Sequence, residues 1–209
     1  MNTPDLDPFQ NNNTLTLQSY QNKTQAYIDG TPAADDVLKV WIDECLELLP
    51  KNAKIFEIGS GFGRDAEYIT QKGFDIECSD AVPNFVSLLR TKGYTARTLN
   101  VLTDDIDGSY DMVFADAVLL HFTPEEAAIA TKKIHAALTD DGIFALRVKR
   151  GDGPTWTDAK LGEPRYFYLW QPEDLRQLLH SCGFEWLGFS ENHTSHNNAD
   201  WIGVIARKI

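Results

Sequence analysis

Apolar positions recur with two different periods along this chain. Between Ala34 and Leu49, Val37, Leu38, Trp41, Ile42, Cys45, Leu48 and Leu49 follow helical spacing, and Pro50 ends the run. From Lys54 onward, short apolar runs alternate with helix-period ones. Lys54–Ile58, Phe74–Ser79, Ala96–Val101, Tyr110–Ala115, Gly142–Lys149, Phe184–Ser190 and Trp201–Arg207 read as strands. Asp65–Lys72, Asn84–Lys92, Pro124–Leu138 and Pro172–Ser181 read as helices between them. That alternation predicts an α/β fold, with right-handed crossovers and a mostly parallel sheet covered by helices on both faces. Only the polar stretch Glu191–Asp200 separates the last two strands, which predicts an antiparallel hairpin at the sheet's end. Upstream, Met1–Asn13 is polar and rich in Pro and Asn, so it is expected to be a disordered tail. Thr14–Asp29 reads as a short helix carrying Leu15, Leu17, Tyr20 and Tyr27. The expected organisation is a tail over 1–13 and one domain over 14–209, whose first part, 14–50, forms a helical cap.

Composition narrows what such a domain does. The 209 residues are 43% hydrophobic and 24% charged, a globular balance with room for one sizeable core. The opening residues carry no basic segment followed by an apolar stretch, and no apolar run reaches the length of a membrane span. Cys45, Cys78 and Cys182 are odd in number and scattered, so reduced thiols in a cytoplasmic protein are expected and a metal site is not. The formal net charge of -12 disfavours nucleic acid and anionic membranes as partners and favours a small molecule.

The stretch KIFEIGSGFGRDAEYI, Lys54 to Ile69, concentrates the candidate chemistry. Gly59, Gly61 and Gly63 follow the first strand at the edge where α/β sheets bind ligands. Glycine permits positive φ and lets a ligand approach the main chain. A dinucleotide cradle would place its third glycine at position 64, where this chain has Arg64. Glu57 lies on an expected central strand, where a carboxylate needs an answering cation. A buried arginine is one candidate for that cation and a ligand ammonium or sulfonium the other.

The E-x-G-x-G-x-G pattern after the first strand, with Asp80 closing the second, resembles the class I S-adenosylmethionine-dependent methyltransferases of small-molecule type. The resemblance runs from about Tyr20 to Ile209 and includes the terminal hairpin. It implies a Rossmann-like, seven-stranded sheet and S-adenosylmethionine as methyl donor, leaving S-adenosylhomocysteine. It implies that Gly59, Ser60, Gly61, Phe62 and Gly63 run along the methionine and ribose portions, with Glu57 orienting the amino group. Asp80 matches the acid that accepts both ribose hydroxyls, a task suited to a carboxylate, though a helix cap is its plainer role. Ala81 would touch the adenine, Asn100 would accept from its amino group, and Val101 and Leu102 would wall it. Ala115 would lie beside the reactive methyl, and Tyr20 and Tyr27 would close the N-terminal helix over the cofactor. Arg64 has two readings, the cofactor's carboxylate or a neighbouring acid.

The acceptor side is less explicit. In-line methyl transfer depends on positioning and needs a base only when the acceptor must lose a proton. His121 is the candidate base, with a hydrogen-bonded structural histidine as the alternative. Arg147 and Lys149, at the end of the fifth strand, are candidates to face an anionic group. In GEPRYFYLW, Gly162 to Trp170, Arg165, Tyr166 and Tyr168 are candidates to contact the acceptor. Gly151–Leu161 before it has the composition of a lid. A Pro-Pro-aromatic signature, found in enzymes that methylate bases or glutamine nitrogens, is absent after the fourth strand. His193 and His196 in the hairpin turn read as surface residues. The expected protein is a monomer or homodimer; aminopropyl transferases, cofactor-binding regulators and nicotinamide-dependent oxidoreductases are the alternative readings.

Overall fold

In a computed structural model, residues 8–194 and 198–209 are described, the side chains of 8–11 excepted. His196 and residues 1–7 of the expected tail lie outside these. Three helices lead in: α1 (Pro8–Asn22), α2 (Thr24–Asp29) and α3 (Asp36–Leu46). The first starts at Pro8, upstream of the expected Thr14, and breaks at Lys23, so the anticipated single helix is two. Asp35 caps α3 by accepting the Leu38 N–H at 2.8 Å.

The strands β1 (Ile55–Ile58), β2 (Ile76–Asp80), β3 (Ala96–Thr98), β4 (Tyr110–Asp116) and β5 (Leu138–Lys149) are parallel neighbours in the order β3-β2-β1-β4-β5. The helices α4 (Arg64–Gln71), α5 (Pro83–Thr91), α6 (Pro124–Ala137) and α7 (Pro172–Ser181) connect and cover them. After α7, β8 (Phe184–Thr194) and β9 (Ala199–Lys208) form the antiparallel hairpin, with β9 inserted against β5. The seven-stranded, mostly parallel sheet with a terminal hairpin is the architecture expected.

Strand periodicity sorts the core into two layers. Ile55, Met112, Phe114 and Ala145 face α3, α4 and α5, where Trp41, Ile42, Ile69 and Leu89 pack on them. Phe56, Ile58, Val113, Phe144 and Leu146 face the opposite layer, with Ala127, Ile134 and Leu179 of α6 and α7. The chain reverses its strand order between β1 and β4, so the turns after those two strands open a crevice at the sheet's carboxyl edge.

One element differs from expectation. The stretch anticipated as a lid loop contains β6 (Gly153–Thr157), which pairs antiparallel with β7 (Arg165–Leu169) as a separate two-stranded sheet. Its signal was masked because glycine, proline and threonine in β6 carry little apolar periodicity. The hairpin is fastened to α1: Ser19 Oγ donates to the Pro164 carbonyl at 2.7 Å and the Tyr166 N–H donates to Thr16 Oγ1 at 3.0 Å. Together α1 and this hairpin roof the crevice.

Candidate active site

The turn after β1 is built from left-handed backbone. Gly59, Gly61 and Gly63 have φ of 69°, 55° and 87°, a region where a Cβ meets its own carbonyl. At Gly59 a side chain has no room either, since an added Cβ would sit 2.5 Å from Val118 Cγ2. The loop is held by Ser60 N–H to the Ser79 carbonyl at 2.8 Å and Gly63 N–H to the Ser60 carbonyl at 2.9 Å. Gly63 then opens α4, so its amide serves the turn and it does not line the crevice.

Asp80 ties this turn to the next. Its Oδ2 accepts the Gly61 N–H and its Oδ1 accepts the Val82 N–H, each at 2.8 Å. Each oxygen retains a lone pair, and the residue lines a cavity with Ala81, Phe85, Asn100, Val101 and Val118. Burial pushes its carboxyl up to about 6, against the backbone donors that favour the ionised form. The cap reading and the ligand reading are therefore compatible. Asn100 Nδ2 donates to Asn13 Oδ1 at 2.8 Å, which brings α1 over this cavity. Asn13, Thr16 and Leu17 line it too, residues that the expected disorder over 1–13 and the short-helix reading had left out.

A second cavity adjoins the first through Tyr20, Tyr27, Gly59, Gly61, Asp116, Ala117 and His121, which line both. Ser60, Phe62 and Arg64 border only the second. The Arg64 guanidinium donates from Nε to Asp65 Oδ1 and from Nη2 to Asp116 Oδ2, both at 2.6 Å, so the neighbouring-acid reading holds for those atoms. Among the described residues its Nη1 has no hydrogen-bond partner. Asp116 also faces Arg147 Nε at 3.2 Å, and the Arg147 guanidinium lies 4.6 Å from the Trp201 ring centre. Ala117, at φ 60°, is a non-glycine residue in the left-handed region, the kind of backbone strain that concentrates at ligand clefts.

Four residues expected at the cofactor do not line either cavity. Glu57 shares the α4 face of the sheet with Ile55 and lies behind the glycine turn, 2% exposed. Burial and the Asp65 charge push its carboxyl up to about 8. Ala115 is fully buried in the opposite core layer, and Asp116 and Ala117 form the rim in its place. Leu102 packs against the same layer, its N–H donating to Asn100 Oδ1 at 3.2 Å. Gly63 is the fourth, for the reason given above.

His121 closes a 3-10 turn, Leu119–His121, after β4. Its Nδ1 bonds the Tyr166 carbonyl at 2.7 Å and its Nε2 bonds the Tyr20 hydroxyl at 3.0 Å. A carbonyl only accepts, so Nδ1 carries the proton and the tyrosine donates to Nε2. The Tyr20 hydroxyl in turn accepts from Arg165 Nη1 at 3.2 Å. Burial, joined by the nearby Arg165 and Lys149 charges, holds the imidazole far below its usual range, at about 3, so it stays neutral. The structural-histidine reading fits this geometry, and any ligand in the crevice meets a Tyr20–His121 pair.

The period of β7 separates its candidates. Arg165 and Phe167 line the second cavity, whereas Tyr166 and Tyr168 line neither. Tyr166 meets Trp156 across the hairpin and Tyr168 stacks on Trp170, so the acceptor contacts expected of them are not made by their rings. Lys149 does line the cavity, as do Lys160, Phe167 and Trp201, which the sequence reading had not selected. Composition alone could have flagged Phe167, which alternates with Arg165. Lys160 carried no signal.

With this geometry in place, comparison with known proteins is informative. Residues 33–187, most of the chain, match the model of a methyltransferase domain family, and the chain belongs to that family. It resembles Burkholderia thailandensis 1,6-didemethyltoxoflavin-N1-methyltransferase, solved with 1,6-didemethyltoxoflavin and S-adenosylhomocysteine, at 20% identity and a TM-score of 0.75, over 100% of this chain and 93% of that one. It also resembles the [4+2]-cyclase SpnF, at 16% identity and a TM-score of 0.70, over 91% and 94% of the two chains. In sequence, 71% of the chain is 24% identical to the non-reducing polyketide synthase prhL of Penicillium brasilianum, and spans only 7% of that protein.

Proposed function

We propose that this protein is an S-adenosylmethionine-dependent methyltransferase acting on a small-molecule acceptor. The observation that carries the reading is Asp80, buried at the rim of the cleft with both oxygens already oriented by the Gly61 and Val82 amides. A carboxylate so fixed has one lone pair per oxygen left for two adjacent hydroxyls, the arrangement a ribose presents. The free Nη1 of Arg64, at the far side of the left-handed turn, suits the carboxylate of the cofactor's methionine part. Leu99, Val101 and Phe85 give the flat, dry walls an adenine needs. The residues therefore fit the group.

When bound, S-adenosylmethionine supplies an electrophilic methyl on a positively charged sulfur. The acceptor's lone pair forms the new bond to carbon while the carbon–sulfur bond breaks, its electrons remaining on a neutral thioether. The chain's part is to exclude water beneath α1 and the β6–β7 hairpin, and to align an acceptor in the second cavity with the first. The Tyr20 hydroxyl, fixed between Arg165 and His121, is the polar group best sited to orient it. The cyclase among the similar structures keeps a non-methylating use of this cleft as the second reading. Calorimetric titration with S-adenosylhomocysteine, NADH and decarboxylated S-adenosylmethionine tests the cofactor, and formation of S-adenosylhomocysteine from S-adenosylmethionine on adding an acceptor separates methyl transfer from a non-methylating use. Micromolar binding of the first is expected, and no heat with it would overturn the proposal.

A further inference from the structure

The second cavity holds more positive charge than the protein's own acids neutralise. Arg64 and Arg147 are answered by Asp65 and Asp116. Lys149, Lys160 and Arg165 line the same space, and no carboxylate among the described residues comes within ion-pair distance of them. Arg165 is only 5% exposed, its Nη1 reaches the Tyr20 hydroxyl, and its Nε has no acceptor among the described residues. Lys149 Nζ lies 4.6 Å from the Phe167 ring centre and 5.7 Å from that of Trp201, with no hydrogen-bond partner among the described residues. Lys160 Nζ reaches over the rim, donating to Thr31 Oγ1 at 2.6 Å and lying 4.1 Å from the Tyr27 ring centre.

A buried guanidinium with an orphaned donor is costly unless an acceptor arrives. Ring faces compensate a desolvated cation only in part. The lysines are also held below their usual range, by burial first and by Arg165 second. Such a cluster is out of character for a chain of formal net charge -12. An anion in this cavity would answer the charge that no described carboxylate answers, and a guanidinium fork is shaped for a carboxylate.

We infer that the acceptor is an organic acid with a flat apolar body, its anionic group held by Arg165, Lys149 and Lys160 and its body against Phe167 and Trp201. This rests on the methyltransferase reading for the word acceptor, although the anion site stands on its own residues.

The test is calorimetric titration with 4-hydroxybenzoate and indole-3-acetate, each beside its uncharged amide, on the protein with and without S-adenosylhomocysteine. At least one acid should bind ten or more times as tightly as its amide, in the free protein and in the S-adenosylhomocysteine complex alike. Arg165→Gln and Lys149→Met should each bring acid and amide to within about threefold. Should Arg165→Gln fail to fold, Lys149→Met carries the comparison, because its ammonium makes no hydrogen bond or ion pair with the described residues. Equal binding of acid and amide, no acid binding up to about 10 mM, or a preference that survives in the folded variants overturns the inference. Failure of S-adenosylhomocysteine to bind, with the acid preference intact, strikes the methyltransferase reading instead.

Discussion

Replacing Asp80 by Asn tests the cofactor geometry most directly, because the change keeps the shape and removes the charge. In the wild type each oxygen accepts one backbone N–H at 2.8 Å and keeps a lone pair toward the cleft. Hydrogen bonds to a charged acceptor contribute about 1.5–3 kcal/mol each, and a neutral amide oxygen recovers about 1 kcal/mol from one of them. The net loss is about 2–5 kcal/mol, or a roughly 30- to 5,000-fold weaker S-adenosylhomocysteine complex. Stability moves far less. One buried N–H loses its acceptor, costing about 1–3 kcal/mol. Against that, the carboxyl raised from 3.8 to about 6 marks a charge that folding disfavours, by about 3 kcal/mol at neutral pH, and the amide does not carry it. The two effects offset, so the melting temperature should shift by only a few degrees. The sign of the pH effect follows. A raised folded pKa means this group's contribution to stability falls as pH rises from about 4 to 6, whereas ligand affinity, which needs the ionised form, rises over that window. Affinity in the wild type should weaken below pH 6 and stay flat in Asp80→Asn. A variant that melts normally and binds S-adenosylhomocysteine within threefold of the wild type would refute the ribose assignment.

The glycines and the histidine offer two further checks. Gly59→Ala should cost about 2 kcal/mol or more and abolish cofactor binding, since left-handed strain adds to the 2.5 Å approach of Val118; Gly61→Ala, whose Cβ would meet only Tyr27 Cε1 at 3.8 Å, should cost about 1–2 kcal/mol from strain alone. Thermal melts of the pair measure the difference, and equal losses would show that the Val118 approach adds nothing to the backbone strain. For His121, whose folded pKa of about 3 lies far below 6.5, the kcat/KM profile of any identified acceptor should show no inflection near pH 6.5 that His121→Asn removes. Such an inflection would restore the general-base reading.

What the sequence determined by itself are the features that near neighbours along the chain settle. Strand and helix runs differ in period over five to twelve residues, so the parallel order and the terminal hairpin were legible before any coordinates. The turn Gly59–Gly63 was legible because positive φ leaves glycine as its residue, and Asp80 because an acid closing the second strand lies beside that turn in this sheet order. The tertiary structure decided matters that depend on residues far apart in sequence. Glu57 looked like a charge awaiting a cation; its strand face buries it behind the glycine turn, where burial and Asp65 raise its pKa. Tyr166 and Tyr168 looked like pocket aromatics, but the register of β6 against β7 turns Arg165 and Phe167 inward instead. Lys149 and Arg165 were candidates from the sequence, but that they meet over one cavity with Lys160, from the turn after β6, was decided by the tertiary structure. A charge reveals its purpose only when its neighbours are known, because the cost of burying it is set by what lies within a few ångströms in space.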